Sequence, residues 1–249
     1  CIVDATCAKL IKREVSDGII AANYTSEALK ILSSKKNGKY VIIKGDTNIN
    51  YNDIEYKEIF GVSIAQTTNS EMIDDSYFQD IPTNKNVLEQ NKKEDMILAT
   101  ITLKYTPSNS IAIAHNNQVI GVGAGQQNRV DCIKLAGNKA KLFNMRFSQK
   151  CIDLLDKFKK DIKRQDRVNA IIKYINNDFL SSELENWYSL FDSKPELLNK
   201  TDFNNNNQNG LVLSSDAFFP FRDNIDYAQR YGVNYILNPG GSIQDKNII

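Results

Sequence analysis

Histidine occurs once in this 249-residue chain, tryptophan once, cysteine four times and proline five times. With His115 alone, the His/Cys clusters from which zinc sites are built are missing. The four cysteines, Cys1, Cys7, Cys132 and Cys151, form no CxxC and none stands beside a histidine at zinc-finger spacing. They read as free thiols of a reducing cytosol, with a disulfide as the alternative. No apolar run approaches the roughly 20 residues needed to span a bilayer, and no signal-peptide pattern opens the chain. Charge of one sign is lacking too: 31 basic side chains against 30 acidic ones give no electrostatic reason to expect nucleic acid or an anionic membrane as a partner. A cytosolic protein is the expectation. The chain opens at a cysteine, in mid-pattern and without Met, and is expected to be a piece of something longer.

What is present is ordinary for a globular protein: 41% hydrophobic and 24% charged residues, at a length that can bury one large core or two modest ones. The spacing predicts a helix in "DATCAKLIKREV", with Asp4 as its cap, and another in "YTSEALKILSSKKNG", closed by Asn37-Gly38. Short buried strands are expected at 17–22 and 39–46. Strand, helix and strand at this length make a βαβ unit, so the fold class is α/β with a parallel sheet. "IFGVSIAQT" (59–67) alternates like an edge strand.

Between 68 and 86 the text turns polar, which places a domain boundary there and assigns 1–75 and 76–249 to separate units. A buried helix is expected at 91–105, and a hairpin around Asn116-Asn117. Helices follow at 129–145 and between 150 and 191. An asparagine-rich surface loop covers 199–210. Then come a strand at 211–214, a helix from Asp223, a strand at 234–238 and the turn "PGGS".

Several motifs carry two readings. "GVGAGQ" (121–126) has G-x-G-x-G spacing where a dinucleotide fold needs G-x-G-x-x-G, so a close approach to a ligand or a neighbouring helix competes with the Rossmann reading. "KYTPSNS" is either loop chemistry or a convergence of oxygens on a ligand or monovalent cation at a helix C-terminus. "FKKDIKRQDR" is the wet face of an amphipathic helix or a basic patch. His115, next to the hairpin turn, is a surface residue or a catalytic base. In "SSDAFFPFRDNID" (214–226), Ser214, Ser215 and Asp216 end a buried strand, where open α/β sheets bind ligands. Phe218 and Phe219 offer a flat aromatic face. Asp223 is placed to accept two parallel hydrogen bonds from an amidine-like edge, or else it finishes a helix cap beside an aromatic cluster.

"SSDAFFPFRDNID" resembles the signature of AICAR transformylase, the formyl-transferring domain of the bifunctional AICAR transformylase/IMP cyclohydrolase family. "REVSDGIIA", "EALKILSSKKNG", "ATITLKYTPSNS", "QVIGVGAGQQNRVD", "FKKDIKRQDRVNAI" and "PGGSIQDK" resemble that family in the same order and span almost the whole chain. A helical insertion at about 142–210 resembles its eukaryotic branch. The resemblance implies tandem cytidine-deaminase-like α/β/α units without zinc. It also implies transfer of a formyl group from 10-formyltetrahydrofolate to the 5-amino group of AICAR, the aminoimidazole carboxamide ribotide. A cytosolic homodimer with a shared site is implied as well.

Residue by residue, the resemblance puts Asn109 near the reacting amine and Asp46 on the ribose, with Asn23 and Arg129 also at the nucleotide. The folate side is Val130, Phe218, Asp223, Ser242 and Ile243. Asn109 and Asp223 are its catalytic candidates, and Asn169 is a further site position. Thr102, Thr106, Ser108, Ser110 and Asp216 match positions that supply oxygens to a structural potassium ion. Position 23 is usually glycine in the family; asparagine also tolerates the left-handed geometry such a turn requires. The family's Lys-His pair and Arg-Tyr pair match nothing between Cys1 and Ile249, nor does a further phosphate-binding arginine, so these residues alone are expected to turn over poorly. The rival readings are a catalytically silent binding module on the same scaffold and a nucleotide-dependent oxidoreductase.

Overall fold

The computed structural model describes residues 2–46, 52–85, 87–199, 202 and 209–248. Cys1 and most of the asparagine-rich stretch 199–210 lie outside them. The chain divides into two compact units, Cys1–Glu71 and Met72–Ile249, and the fold is mixed α/β in both.

In the first unit the order is β1 (Ile2–Val3), α1 (Ala5–Arg13), β2 (Gly18–Ala21), β3 (Asn23–Tyr24), α2 (Ser26–Ser33), β4 (Val41–Lys44), β5 (Ile54–Ile59) and β6 (Val62–Thr67). Asp4 and Thr25 cap the two helices, accepting from the backbone N–H of Cys7 and Ala28; each satisfies a donor that the first turn leaves open. β2 and β4 pair in parallel from Gly18↔Val41 to Ala21↔Lys44, completing the expected βαβ unit. Ile19, Ala21 and Ile42 pack on a small core of Val3, Ala8, Ala28, Leu32 and Tyr40.

Lys35 ties this core to α1. Its Nζ donates to the carbonyls of Ile11 (2.7 Å) and Glu14 (2.6 Å) and to Ser16 Oγ (2.9 Å), so the buried ammonium is fully paired. The expectation of buried strands needs correction here: Ile20, Val41 and Ile43 lie on the other pleat and are exposed. Among the described residues one face of this two-stranded sheet packs on helices and the other is exposed. The edge strand expected at 59–67 covers β6 and a turn at Phe60-Gly61 with both φ positive (50° and 78°), and β6 pairs antiparallel with β5, which the sequence reading did not place.

In the second unit α3 (Gln90–Lys104), β7 (Ser110–His115), β8 (Gln118–Ala124), α4 (Arg129–Met145), α5 (Gln149–Leu155), α6 (Arg164–Asn176), α7 (Ser181–Tyr188), β9 (Leu211–Ser215), α8 (Asp223–Arg230), β10 (Val233–Leu237) and α9 (Asp245–Ile248) follow in order. The sheet runs β10-β9-β7-β8. β10 and β9 are parallel, while β7 is antiparallel to both β9 and β8. Asn116 and Asn117 turn the β7–β8 hairpin at φ 51° and 58°, the conformation a tight two-residue hairpin requires.

Alternation along β7 sorts the layers. Ile111 and Ile113 join Leu211, Leu213, Ile133, Ala136, Phe219 and Ala228 on the side of α4 and α8. Ala112 and Ala114 meet Ala99 and Leu103 of α3 on the other side. The second unit is thus a three-layer α/β/α sandwich. Between α4 and β9 the helices close on their own cluster around Trp187, whose indole stacks on Tyr174 (5.7 Å, 8°) and donates to Ala170 O at 3.0 Å.

"GVGAGQ" belongs to this packing. A Cβ at Gly121 would run into the carbonyl of Ala136, and one at Gly123 into that of Cys132. The glycines are notches in β8 that let α4 lie against the strand, and they stand within a hairpin strand, where a dinucleotide fingerprint would need a strand-to-helix turn. Among the described residues no helix is long and apolar enough to cross a membrane.

Candidate functional site

Strand direction gathers the candidate residues of the second unit at one end of its sheet. Ser215 pairs with Ile111, Ser110 with Ala124, and Ser214 with Leu237. The start of β7 and the ends of β8, β9 and β10 therefore face the same way. From that end issue the Thr106–Asn109 turn, the Gly125–Asn128 connection into α4, the Asp216–Arg222 bend and the Asn238–Gln244 loop. His115 closes β7 at its opposite end, about 17 Å away at the usual rise per strand residue. His115 therefore stands apart from the candidate residues gathered at the loop end.

Arg129, the first residue of α4, organises the site. Its Nη1 donates to Ser215 Oγ at 3.0 Å and forms an ion pair with Asp216 Oδ1, and its Nη2 donates to Asn109 Oδ1 at 3.1 Å. Both partners of the ion pair are nearly buried, with side chains 9% and 12% exposed. Ser108 Oγ donates to the second oxygen of Asp216 at 2.6 Å. Burial pushes the Asp216 carboxyl up, but hydrogen bonds from Ser108 and Arg129, a backbone bond at Ser110 and the charge of Arg129 outweigh it and hold the group below the usual carboxylate range.

Asn109 is held on every side. Its Nδ2 donates to Gln126 O (3.1 Å) and Gln127 O (3.4 Å), and its own carbonyl accepts from Gly125 N and from Cys132 Sγ, each at 3.0 Å. The peptide between Ser108 and Asn109 is cis. Two acceptors on Nδ2 and a guanidinium on Oδ1 fix which way the amide points. One lone pair of Oδ1 is left over.

The oxygens expected around a cation are present in the same corner. Thr102 Oγ1 donates to Leu98 O (2.9 Å) and Thr106 Oγ1 to Thr102 O (2.7 Å), so both hydroxyls are turned onto the last turns of α3. Ser110 is fully buried and its Oγ has no hydrogen-bond partner. Among the described residues no three His, Cys, Asp or Glu side chains converge as a metal-binding group.

The remaining candidates stand around this core. Val130 follows Arg129 on α4 and is half-buried. Phe218 is 43% exposed, whereas Phe219 is buried in the core. Asp223 is exposed at the start of α8 and accepts from Asn224 Nδ2 at 2.8 Å. Ser242 lies in a loop shaped by Asp245, whose Oδ2 accepts from Gly241 N (3.0 Å) and Ser242 N (2.9 Å), and Ile243 projects from it, 96% exposed. Asn169 is on the exposed side of α6, bonded to Gln165, and the network does not include it.

Asn23 and Asp46 belong to the first unit, both just past the C-terminal end of the β2–β4 pair, where Gly45 N bonds Ala21 O at 2.9 Å. Asn23 is extended in β3, so the position demands no left-handed turn. Sequence reading had no place for Cys132 in the site and no partner for Ser215. Both act through bonds to residues 23 and 86 positions away, which leave no local signal.

Residues 1–139 match the family model described as AICARFT/IMPCHase bienzyme. The bifunctional purine biosynthesis protein PurH of Buchnera aphidicola subsp. Schizaphis graminum is 30% identical over 250 residues, covering 100% of this chain and 36% of the relative. The PurH of Buchnera aphidicola subsp. Baizongia pistaciae is 31% identical over 248 residues (99% and 35%), and that of Aquifex aeolicus 28% over 247 (99% and 35%). The chain spans about a third of the length of these curated relatives.

Proposed function

Because the chain belongs to the AICARFT/IMPCHase bienzyme family, we propose that it forms part of the formyl-transfer half of such an enzyme, acting in purine biosynthesis. In that reaction a formyl group passes from 10-formyltetrahydrofolate to the 5-amino group of AICAR. A catalytically silent binding module is the rival reading. Tandem cytidine-deaminase-like units, a homodimer and a cytosolic setting go with the proposal.

The observation that carries it is the bond between Asn109 and Arg129. These two residues, 20 apart in the chain, are both assigned to the nucleotide by family resemblance and meet at 3.1 Å. The chemistry gives such a pair work to do. The AICAR amine is a weak nucleophile because its lone pair is delocalised into the carboxamide, so it must be oriented, relieved of a proton and given a stabilised oxyanion. Asn109 Oδ1, with one lone pair engaged by Arg129, can accept an amine N–H through the other. That contact turns the amine lone pair toward the formyl carbon. Arg129 leaves the amide no alternative rotamer, so the alignment is built before substrate arrives.

On the folate side, Asp223 takes the N–H and amino edge of the pterin while Phe218 packs its flat ring, with Val130, Ser242 and Ile243 closing around it. The resemblance also assigns Asp46 to the ribose and Asn23 to nucleotide binding. The corner of Thr102, Thr106, Ser108, Ser110 and Asp216 fits potassium by its chemistry: hard oxygen donors, one of them a buried hydroxyl without a partner. The ion would steady the turn that carries Asn109.

Titration calorimetry with AICAR and with folinate, a non-transferring reduced folate, tests the reading. Asn109→Ala is expected to weaken AICAR by about tenfold or more while sparing folinate; Asp223→Ala should do the reverse. Unchanged affinity for both ligands in both variants would overturn it.

A further inference from the structure

Asn224 is not among the residues assigned a role above, yet its setting is unusual. It is 1% exposed, in the first turn of α8, directly after Asp223. Its Nδ2 donates to Phe221 O (2.9 Å) and to Asp223 Oδ1 (2.8 Å), while its own Oδ1 is buried with no partner. Both bonded atoms are pure acceptors, so the amide orientation is fixed: reversing it would set oxygen against two oxygens.

Packing and stability do not select such a residue. A buried carbonyl without a donor loses its hydration and recovers nothing, so a leucine of similar volume would serve the core better. A leucine cannot hold the Asp223 carboxylate. That bond is charge-assisted, the stronger kind, and Asp223 otherwise stands exposed, with the rotameric freedom that exposure brings.

We infer that Asn224 is a positioning residue for the folate site: it pins one oxygen of Asp223 and so sets the plane in which the carboxylate meets a flat heterocycle. Asp223 Oδ1 keeps a second lone pair and Oδ2 both of its own, so two parallel bonds to a pterin-like N–H and amino edge remain available. The gain is preorganisation, because a side chain already immobilised need not be ordered on binding. This inference rests on the folate reading of Asp223.

The test is folinate and AICAR affinity in the 249-residue chain, with melting temperature, for Asp223→Asn, Asp223→Ala, Asn224→Leu, Asn224→Ala and the double variant Asp223→Ala/Asn224→Leu. The expected result is that Asn224→Leu weakens folinate about five- to tenfold. Its AICAR affinity should be unchanged and its melting temperature equal or higher. In the Asp223→Ala background, which removes the oxygen that Asn224 holds, Asn224→Leu should have no further effect on folinate. If Asn224→Leu does not fold, Asn224→Ala carries the same expectation for the two affinities.

Folinate affinity unchanged in both Asn224 variants while Asp223→Asn weakens it overturns the positioning role and leaves the folate site standing. Parallel loss of melting temperature and of both affinities overturns it too, in favour of a structural role. Folinate binding indifferent to Asp223→Asn overturns the folate reading and this inference with it.

Discussion

At the residue scale, Asp216 concentrates the electrostatics of the site, since one carboxylate receives the Arg129 guanidinium and the Ser108 hydroxyl while its backbone bonds Ser110. Its pKa is lower in the folded chain than in the unfolded one, so the folded state binds fewer protons there. The stability it contributes is complete above the unfolded carboxylate range, near pH ~4, and is lost as pH falls through the lower folded value. Thermal melts across that window should show the loss in the parent chain. In Asp216→Asn this component should be absent, so the two chains should converge in acid and diverge toward neutrality. Asp216→Ala at neutral pH should cost about 3 kcal/mol or more in a denaturant titration, because a nearly buried guanidinium is left without its anion. The candidate residues on this corner were legible in the sequence, by resemblance and by the clustering of Ser, Asn and Asp at an expected strand end. Ser215 and Cys132 were not readable as its partners. Their roles depend on a sheet that sets β9 beside β7 and on a helix brought close by glycines.

The element scale explains why some segments read easily and others did not. "SIAIAHNNQVIGVGAG" alternates and carries an Asn-Asn turn, so the β7–β8 hairpin follows from period and turn chemistry together. Phe60-Gly61 gives no such signal: phenylalanine is a poor turn residue, and at φ 50° it adopts a conformation that side chains disfavour. The strand read at 59–67 therefore ran β6 and the turn together, and took in only the last residue of β5. β1 and β3, two residues each, are too short for any period to show. The glycines of β8 were correctly suspected of a close approach, and the structure identifies the neighbour as α4. Gly123→Ala is accordingly expected to destabilise the chain by about 3 kcal/mol, measured by denaturant unfolding, since the obstacle is backbone carbonyl and cannot rotate aside. Gly125, just beyond the strand at φ 66° with open space where a Cβ would stand, should tolerate alanine better, at the strain of its backbone alone.

At the scale of the molecule, each apolar cluster among the described residues draws on one unit: Val3 to Ile42 in the first, and Ala99 to Ile248 in the second. Residues 72–249 are therefore expected to give a single cooperative thermal transition when expressed alone, followed by near-UV circular dichroism of Trp187 in its aromatic cluster. A broad, non-cooperative melt would show that this unit needs the first to fold. The α/β class and the order of elements were open to reading, because strand and helix periods are local. The direction of each strand was not, and the reversal of β7 between its neighbours has a consequence of its own. It divides the sandwich into a rim that gathers the candidate residues and a rim that does not. Every connection at the first carries a candidate residue or leads straight into one, as Gly125–Asn128 leads into Arg129, whereas the second offers the two-asparagine bend beside His115, where foreign sequence could be spliced without severing any strand that feeds the rim opposite.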